Sequence, residues 1–200
     1  MSRLYLFALL VFAYQYGFAQ RIETRPISDE TLKQFKTSGT LLLKKIEFKD
    51  KNGINYVIAA MEEAAKDDYN SRTLWIEHYV KGTTKTLKLL KEVVDFEKDC
   101  PVDNQLALID EAFEVTDLDK NGYAEIMFMY KTGCKGDVSP SGLKLIVLQN
   151  GKKAAIRGKT LIKGIKNTDE KQQDADFLAL PQVIRQDADN LWNRFKTEYE

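Results

Sequence analysis

Between Asp117 and Glu125 the chain reads Asp-Leu-Asp-Lys-Asn-Gly-Tyr-Ala-Glu. Asp117, Asp119 and Asn121 place oxygen-bearing side chains at alternate positions ahead of Gly122, and Glu125 adds a carboxylate four residues after Asn121. Hard cations take six to eight oxygens from tightly turned loops, so this spacing suits calcium. A second Asp-Lys-Asn-Gly, at 50–53, serves as an internal comparison. Aligning the two sets Phe48 opposite Asp117 and Tyr56 opposite Glu125, so the first copy keeps the turn residues and lacks the outer acids. The first copy is therefore expected to be a hairpin turn and nothing more. Two added acids are not needed to turn a chain, and their repulsion is unfavourable without a cation nearby. The plain alternative is an acidic, solvated turn with no ion, since short motifs also match by chance.

An EF-hand loop begins the same way but requires a bidentate acid at its twelfth position, which here is Phe128 within the apolar run 126–129. That reading fails. The stretch instead resembles the calcium-binding hairpin loops of integrin-type propeller repeats. The resemblance spans about nine residues and implies side-chain oxygens from Asp117, Asp119, Asn121 and Glu125, with the backbone carbonyl of Tyr123. A single loop does not imply a propeller, which needs several blades. Three carboxylates in an extracellular module imply a Kd on the order of 10⁻⁴–10⁻³ M. At tenfold excess, binding then adds about 1.4 kcal/mol, the scale of a structural clip.

Other candidate chemistry is weaker. His78, the one histidine, shares a strand face with Leu74, Ile76 and Val80, and no triad partner can be proposed for it. A core histidine is expected. Zinc would need several His or Cys ligands, and the nucleophile-elbow and phosphate-loop glycine motifs are absent. Glu62-Glu63 and Asp67-Asp68 are read as a solvated edge, because adjacency in sequence does not give the facing geometry of glycoside hydrolysis. Trp75 and Tyr79 share the face opposite His78 and are candidates for stacking on sugar rings, with core packing the plainer role.

The first residues speak to compartment. Met1-Ser2-Arg3 is a short basic start, Leu4–Tyr14 is apolar, and Gly17-Phe18-Ala19 offers small residues before Gln20. This is the pattern of a signal peptide over 1–19, its apolar core too short to span a bilayer stably. An uncleaved anchor is the alternative. Export to the periplasm or cell surface is expected, with a single β-rich domain over 20–200 and no later transmembrane run. Removing 1–19 takes away Arg3 and no acid, leaving charges nearly balanced, with no long-range pull on nucleic acid or anionic lipid. Cys100 and Cys134 are the only cysteines, and an even pair in an exported chain is expected to form a disulfide.

These groups must be positioned by strands. Ser28, Asp29 and Glu30 mark the start of a short helix, with Ile27 packing on Leu32 and Gly39 as its end. Hairpins are expected for 41–48 with 54–60 around Asn52-Gly53, for 111–116 with 125–132 around the acidic loop, and for 143–149 with 154–160 around Asn150-Gly151. Residues 74–81 alternate as a strand, and 86–96 fits neither period cleanly but is read as strand from its neighbours. Residues 99–105 read as a loop and 166–176 as a linker. An amphipathic helix over 181–199 closes the chain on Val183, Ile184, Ala188, Leu191, Trp192, Phe195 and Tyr199. The expected fold is mainly β (α+β): an antiparallel, hairpin-rich sheet of about seven or eight strands, with a short N-terminal helix and a packed C-terminal helix.

The run from Asp117 to Ser141, including Met129-Tyr130-Lys131-Thr132-Gly133-Cys134-Lys135-Gly136-Asp137-Val138-Ser139-Pro140-Ser141, carries a wider resemblance. With the leader and the closing helix, it resembles a family of short exported bacterial proteins known as surface polysaccharide biosynthesis proteins. The resemblance implies a link to envelope polysaccharide and supplies no catalytic residues. The expectation is a non-catalytic, calcium-clipped exported protein that binds or helps assemble such a glycan. The alternatives are an enzyme acting on it through carboxylates not yet placed, and a protein-interaction module.

Overall fold

The computed structural model describes residues 21–83, 86–166 and 168–198, so the leader expected over 1–19 and Tyr199 of the expected closing helix lie outside the described residues. The chain enters through β1 (Arg25–Pro26) and one helical turn, α1 (Asp29–Leu32). The Ser28 hydroxyl caps that turn by accepting from the Thr31 N–H at 3.2 Å. The helix stops at Leu32, well short of Gly39, because the chain unwinds to lay Phe35 edge-on against Tyr56 and Tyr79, with ring centroids 5.2 and 5.0 Å away.

Four long strands follow: β2 (Leu41–Asp50), β3 (Gly53–Lys66), β4 (Tyr69–Lys81) and β5 (Leu87–Cys100). They form an antiparallel sheet in the order β1-β2-β3-β4-β5. Lys51 and Asn52 make the tight first turn, and Gly53 sits at φ 117° with any Cβ destined to lie 2.6 Å from the Lys81 carbonyl. Only glycine serves there. The residues of 86–96 with mixed periodicity are indeed strand. Val93 faces the core while Val94 and Phe96 face out, which blurs the usual alternation.

The remaining elements are β6 (Asp103–Asn104), β7 (Ala107–Thr116), β8 (Glu125–Thr132), β9 (Cys134–Lys135), β10 (Gly142–Gln149), β11 (Lys152–Lys159), β12 (Leu161–Ile162), β13 (Lys171–Gln173), α2 (Ala175–Leu178), α3 (Gln182–Phe195) and β14 (Thr197–Glu198). A second five-stranded antiparallel sheet runs β13-β11-β10-β8-β7, and short pairs join β6 to β9 and β12 to β14. Asn150 and Gly151, at φ 47° and 78°, give the β10–β11 turn the two positive φ values of a tight hairpin. Three expectations are corrected. The helix expected over 181–199 ends at Phe195, and Thr197–Glu198 pair instead as β14 with β12. The 99–105 loop contains β6, held to β9 beside the disulfide. The 166–176 linker contains β13, which pairs with β11, and the Asp174 cap of α2.

The mainly β class stands, with the strands divided between two sheets instead of gathered in one. Val57, Ala59, Leu74, Ile76 and Val93 of the first sheet meet Ile126, Phe128, Ile146, Leu148 and Ala155 of the second in a shared core. The far side of the second sheet, through Met127, Met129, Leu145 and Val147, packs on Ile184, Ala188, Leu191 and Trp192 of α3. Strand β8 is thus covered on both faces, which is why residues 126–129 are continuously apolar. Ile184 and Leu191, both fully buried, each contribute roughly 1.5–3 kcal/mol. Val183, expected on that stripe, is instead 42% exposed. The far side of the first sheet is covered in part by Ile27, Leu32 and Phe35 over Tyr56 and Ile58. Among the described residues no helix is long and apolar enough to cross a membrane.

Candidate functional site

The acidic loop joins β7 to β8, whose ends pair Thr116 with Glu125. Carboxylate oxygens of Asp117, Asp119 and Glu125 come within 4.8 Å of one another. Glu125 is fully buried: its Oε2 accepts from the Leu118 N–H at 2.8 Å and the Thr116 hydroxyl at 3.0 Å, and its Oε1 from the Gln149 amide at 2.7 Å. Burial first, and then the charges of Asp119 and Asp117, push the Glu125 carboxyl up to about 7, against the bonds from Leu118 and Thr116. Asp117 turns Oδ2 to the Gly122 N–H at 3.2 Å, while its Oδ1 is buried with no partner among the described residues. A buried acceptor left unpaired costs about 1–3 kcal/mol. Three converging acids with one such oxygen form a donor set that fits a hard divalent cation.

The other two expected ligands stand differently. Asn121 donates its amide to Asp119 Oδ2 at 2.8 Å and accepts the Tyr123 N–H on Oδ1 at 2.7 Å, so its side chain closes the turn on the exposed side. Tyr123 gives its N–H to that turn and lays its ring under Lys51 Nζ, 5.0 Å from the centroid. Of the five residues expected, the fold converges three side chains, and Asn121 and Tyr123 shape the loop around them.

The first Asp-Lys-Asn-Gly is more than a turn, which corrects the expectation set for it. It docks on the second copy. The Lys51 N–H donates to the Gly122 carbonyl at 2.7 Å, and the Ala124 N–H donates to Asp50 Oδ2 at 3.1 Å. Asp50 Oδ1 accepts from the Asn52 N–H at 2.8 Å and the Asn55 amide at 2.6 Å. The Asn52 amide reaches Asn150 Oδ1 at 3.2 Å, so the tips of the three hairpins expected from the sequence meet at one end of the sandwich. Nothing local in the sequence marks Asp50 for this role, because its contacts are made across the two sheets.

From Asp50 the network runs inward through Asn55, whose Oδ1 lies 2.9 Å from His78 Nε2. His78 is 2% exposed, and burial pushes its pKa down to about 4, with the Asp50 charge opposing in part. It is a neutral core histidine, as its face predicts. Cys100 and Cys134 form the expected disulfide, with Cα atoms 5.6 Å apart.

The aromatic pair is separated by its surroundings. Tyr79 packs beneath Phe35 with Tyr56 and Ile58. Trp75 lies on the same outer face where it is barer, in a row with Leu42, Ala60 and Val94 across four strands. Val94 and the diagonal neighbour Phe96 are 45% and 56% exposed. Of the acidic pairs, Glu63, Asp67 and Asp68 are exposed, Glu62 caps the Thr40 N–H, and Glu63 pairs with Arg72 at 2.8 Å. Comparison with family models, with curated proteins and with solved structures returned no match in any of the three.

Proposed function

We propose that this chain is an exported, non-catalytic β protein in which one calcium ion clips the β7–β8 loop, and that it works at envelope polysaccharide by binding it or helping to assemble it. The observation that carries the metal is the convergence of Asp117, Asp119 and Glu125 around an unpartnered Asp117 oxygen. These three would hold the ion, with Asn121 and the Tyr123 carbonyl completing the set that the propeller-loop resemblance implies. The ion would supply charge neutralisation and loop rigidity; no reaction step is assigned to it. Export is supported by the leader-like first residues and the disulfide. The glycan role is supported by the family resemblance and by the apolar surface around half-buried Trp75, where Val94 and Phe96 are exposed and available to sugar rings.

Titrating calcium into chelator-treated protein is expected to raise the melting temperature, with Asp119→Ala removing the rise. A melt that does not move at millimolar calcium removes the ion. A glycan array read with and without calcium tests the second half, and silence there moves the role to protein partners.

A further inference from the structure

We propose that the cleft between the β10–β11 hairpin and the start of α3 binds an anionic sugar unit, the carboxylate- or phosphate-bearing residue of an acidic saccharide. The cleft measures about 650 Å³, room for a small saccharide. Three lysines line it: Lys91 from the first sheet, and Lys152 and Lys153 from the second. Lys44, Lys144 and Lys171 are each paired with an aspartate. By contrast, Lys91, Lys152 and Lys153 enter no ion pair among the described residues. One acid, the exposed Asp176, shares the lining and only partly offsets them. Lysines without an acid partner around one concavity raise the local concentration of anions there.

Two further features define the ligand. Leu180 and Pro181 give the wall an apolar surface suited to the C–H face of a sugar ring. Pro181 is also the N-cap of the fourteen-residue α3, whose first turn carries no acid and no side-chain cap, so the positive end of that helix adds to the lysines. Gln149 lines the same cleft while donating to Glu125 Oε1 at 2.7 Å and Asp119 Oδ2 at 3.3 Å. Cleft and acidic loop therefore share a side chain, and a cation that draws on those carboxylates changes what Gln149 offers to a ligand. The assignment rests on the glycan half of the reading above; the metal half enters only through Gln149.

Calorimetry with tetraglucuronate and glucose 6-phosphate, and with neutral cellotetraose as control, tests it in 1 mM calcium and in EGTA. At least one charged probe is expected to bind at least tenfold more tightly than cellotetraose and to weaken as salt rises. The Lys152→Gln/Lys153→Gln double variant is expected to lose at least tenfold in affinity with its melting temperature unchanged. Preference for the carboxylate or for the phosphate names the source of the charge. Absence of binding by either charged probe, equal binding of cellotetraose, or full affinity in the double variant overturns the assignment. Charged-probe binding in a protein that takes up no calcium sustains the cleft and removes the metal, so the two readings fail separately.

Discussion

Asp50 Oδ2 accepts the backbone N–H of Ala124 at 3.1 Å, across 74 positions of sequence and from one sheet to the other. The same carboxylate holds its own turn through Asn52 and Asn55, so it fixes the acidic loop against a hairpin already rigid. Charge-assisted bonds of this kind are worth roughly 1.5–3 kcal/mol each where they are shielded. Asp50→Ala is expected to lower urea-unfolding stability by about 2–3 kcal/mol. It is also expected to weaken calcium uptake, because the loop loses its anchor. Asp119→Ala, whose side chain bonds mainly within the exposed part of the loop, is expected to change stability in EGTA by less than about 1 kcal/mol. Equal losses in the two variants would show that the docking of the two turns is incidental.

The disulfide closes a loop of 34 positions that contains the whole β7–β8 hairpin and its acidic turn. On the chain-entropy argument this stabilises by roughly 3–4 kcal/mol. Replacing Cys100 and Cys134 by serine together is expected to lower unfolding stability by about that amount, measured by urea denaturation of the double variant against wild type. A loss under about 1 kcal/mol would mean that β6 and β9 already hold the loop ends without the bond.

His78 gives a pH signature. Its folded-state pKa lies near 4 because of burial, whereas the unfolded chain takes up a proton near 6.5. The unfolded state therefore binds more protons between those values, so the full stability is present above about pH 6.5 and falls as pH drops toward 4. The fall attributable to this one group is about 3 kcal/mol. Asp50, the facing charge, opposes it and is already included in the value near 4. Carboxylates titrate across the same window, so the measurement is a difference: His78→Gln keeps a partner for Asn55 and is expected to lose that share of the acid dependence. Identical pH profiles in the two proteins would show that His78 is charged or solvated in the fold.

How much of this was legible follows from where each signal resides. Turn chemistry is local, so Asn52-Gly53 and Asn150-Gly151 marked their hairpins, and Ser28 its helix start. Alternation is local as well: Leu74 and Ile76 did share the core face opposite Trp75 and Tyr79. Which sheet a strand joins is not local, since the same alternation serves either partner, and one sheet was expected where two stack. Lys171-Gln172-Gln173 carries no strand pattern because it is an edge whose pairing with β11 uses only backbone. The acidic loop advertised Asp117, Asp119 and Glu125, but of the groups that hold it from outside, Gln149 left no mark in its own neighbourhood and Asp50 was marked only as a turn residue.

Trp75 and Tyr79 show what structure adds to a sequence pair. Their spacing put them on one face, and that face is covered at Tyr79 and barer around Trp75. Tyr79→Ala removes a ring packed edge-on at 5.0 Å from Phe35 and is expected to lower stability by about 2–3 kcal/mol, a half-buried aromatic falling below the full core cost. Any effect of Tyr79→Ala on glycan retention should then vanish when folded protein is compared at equal concentration. Trp75→Ala removes a half-buried indole and is expected to lower stability by a similar amount, about 2–3 kcal/mol, but to abolish most glycan retention even when folded protein is compared at equal concentration. Affinity electrophoresis in gels containing acidic polysaccharide, run beside urea titrations of both variants, separates the two. A Trp75→Ala protein retained as strongly as wild type would leave the outer face without a glycan role and put the whole of that role on the lysine cleft.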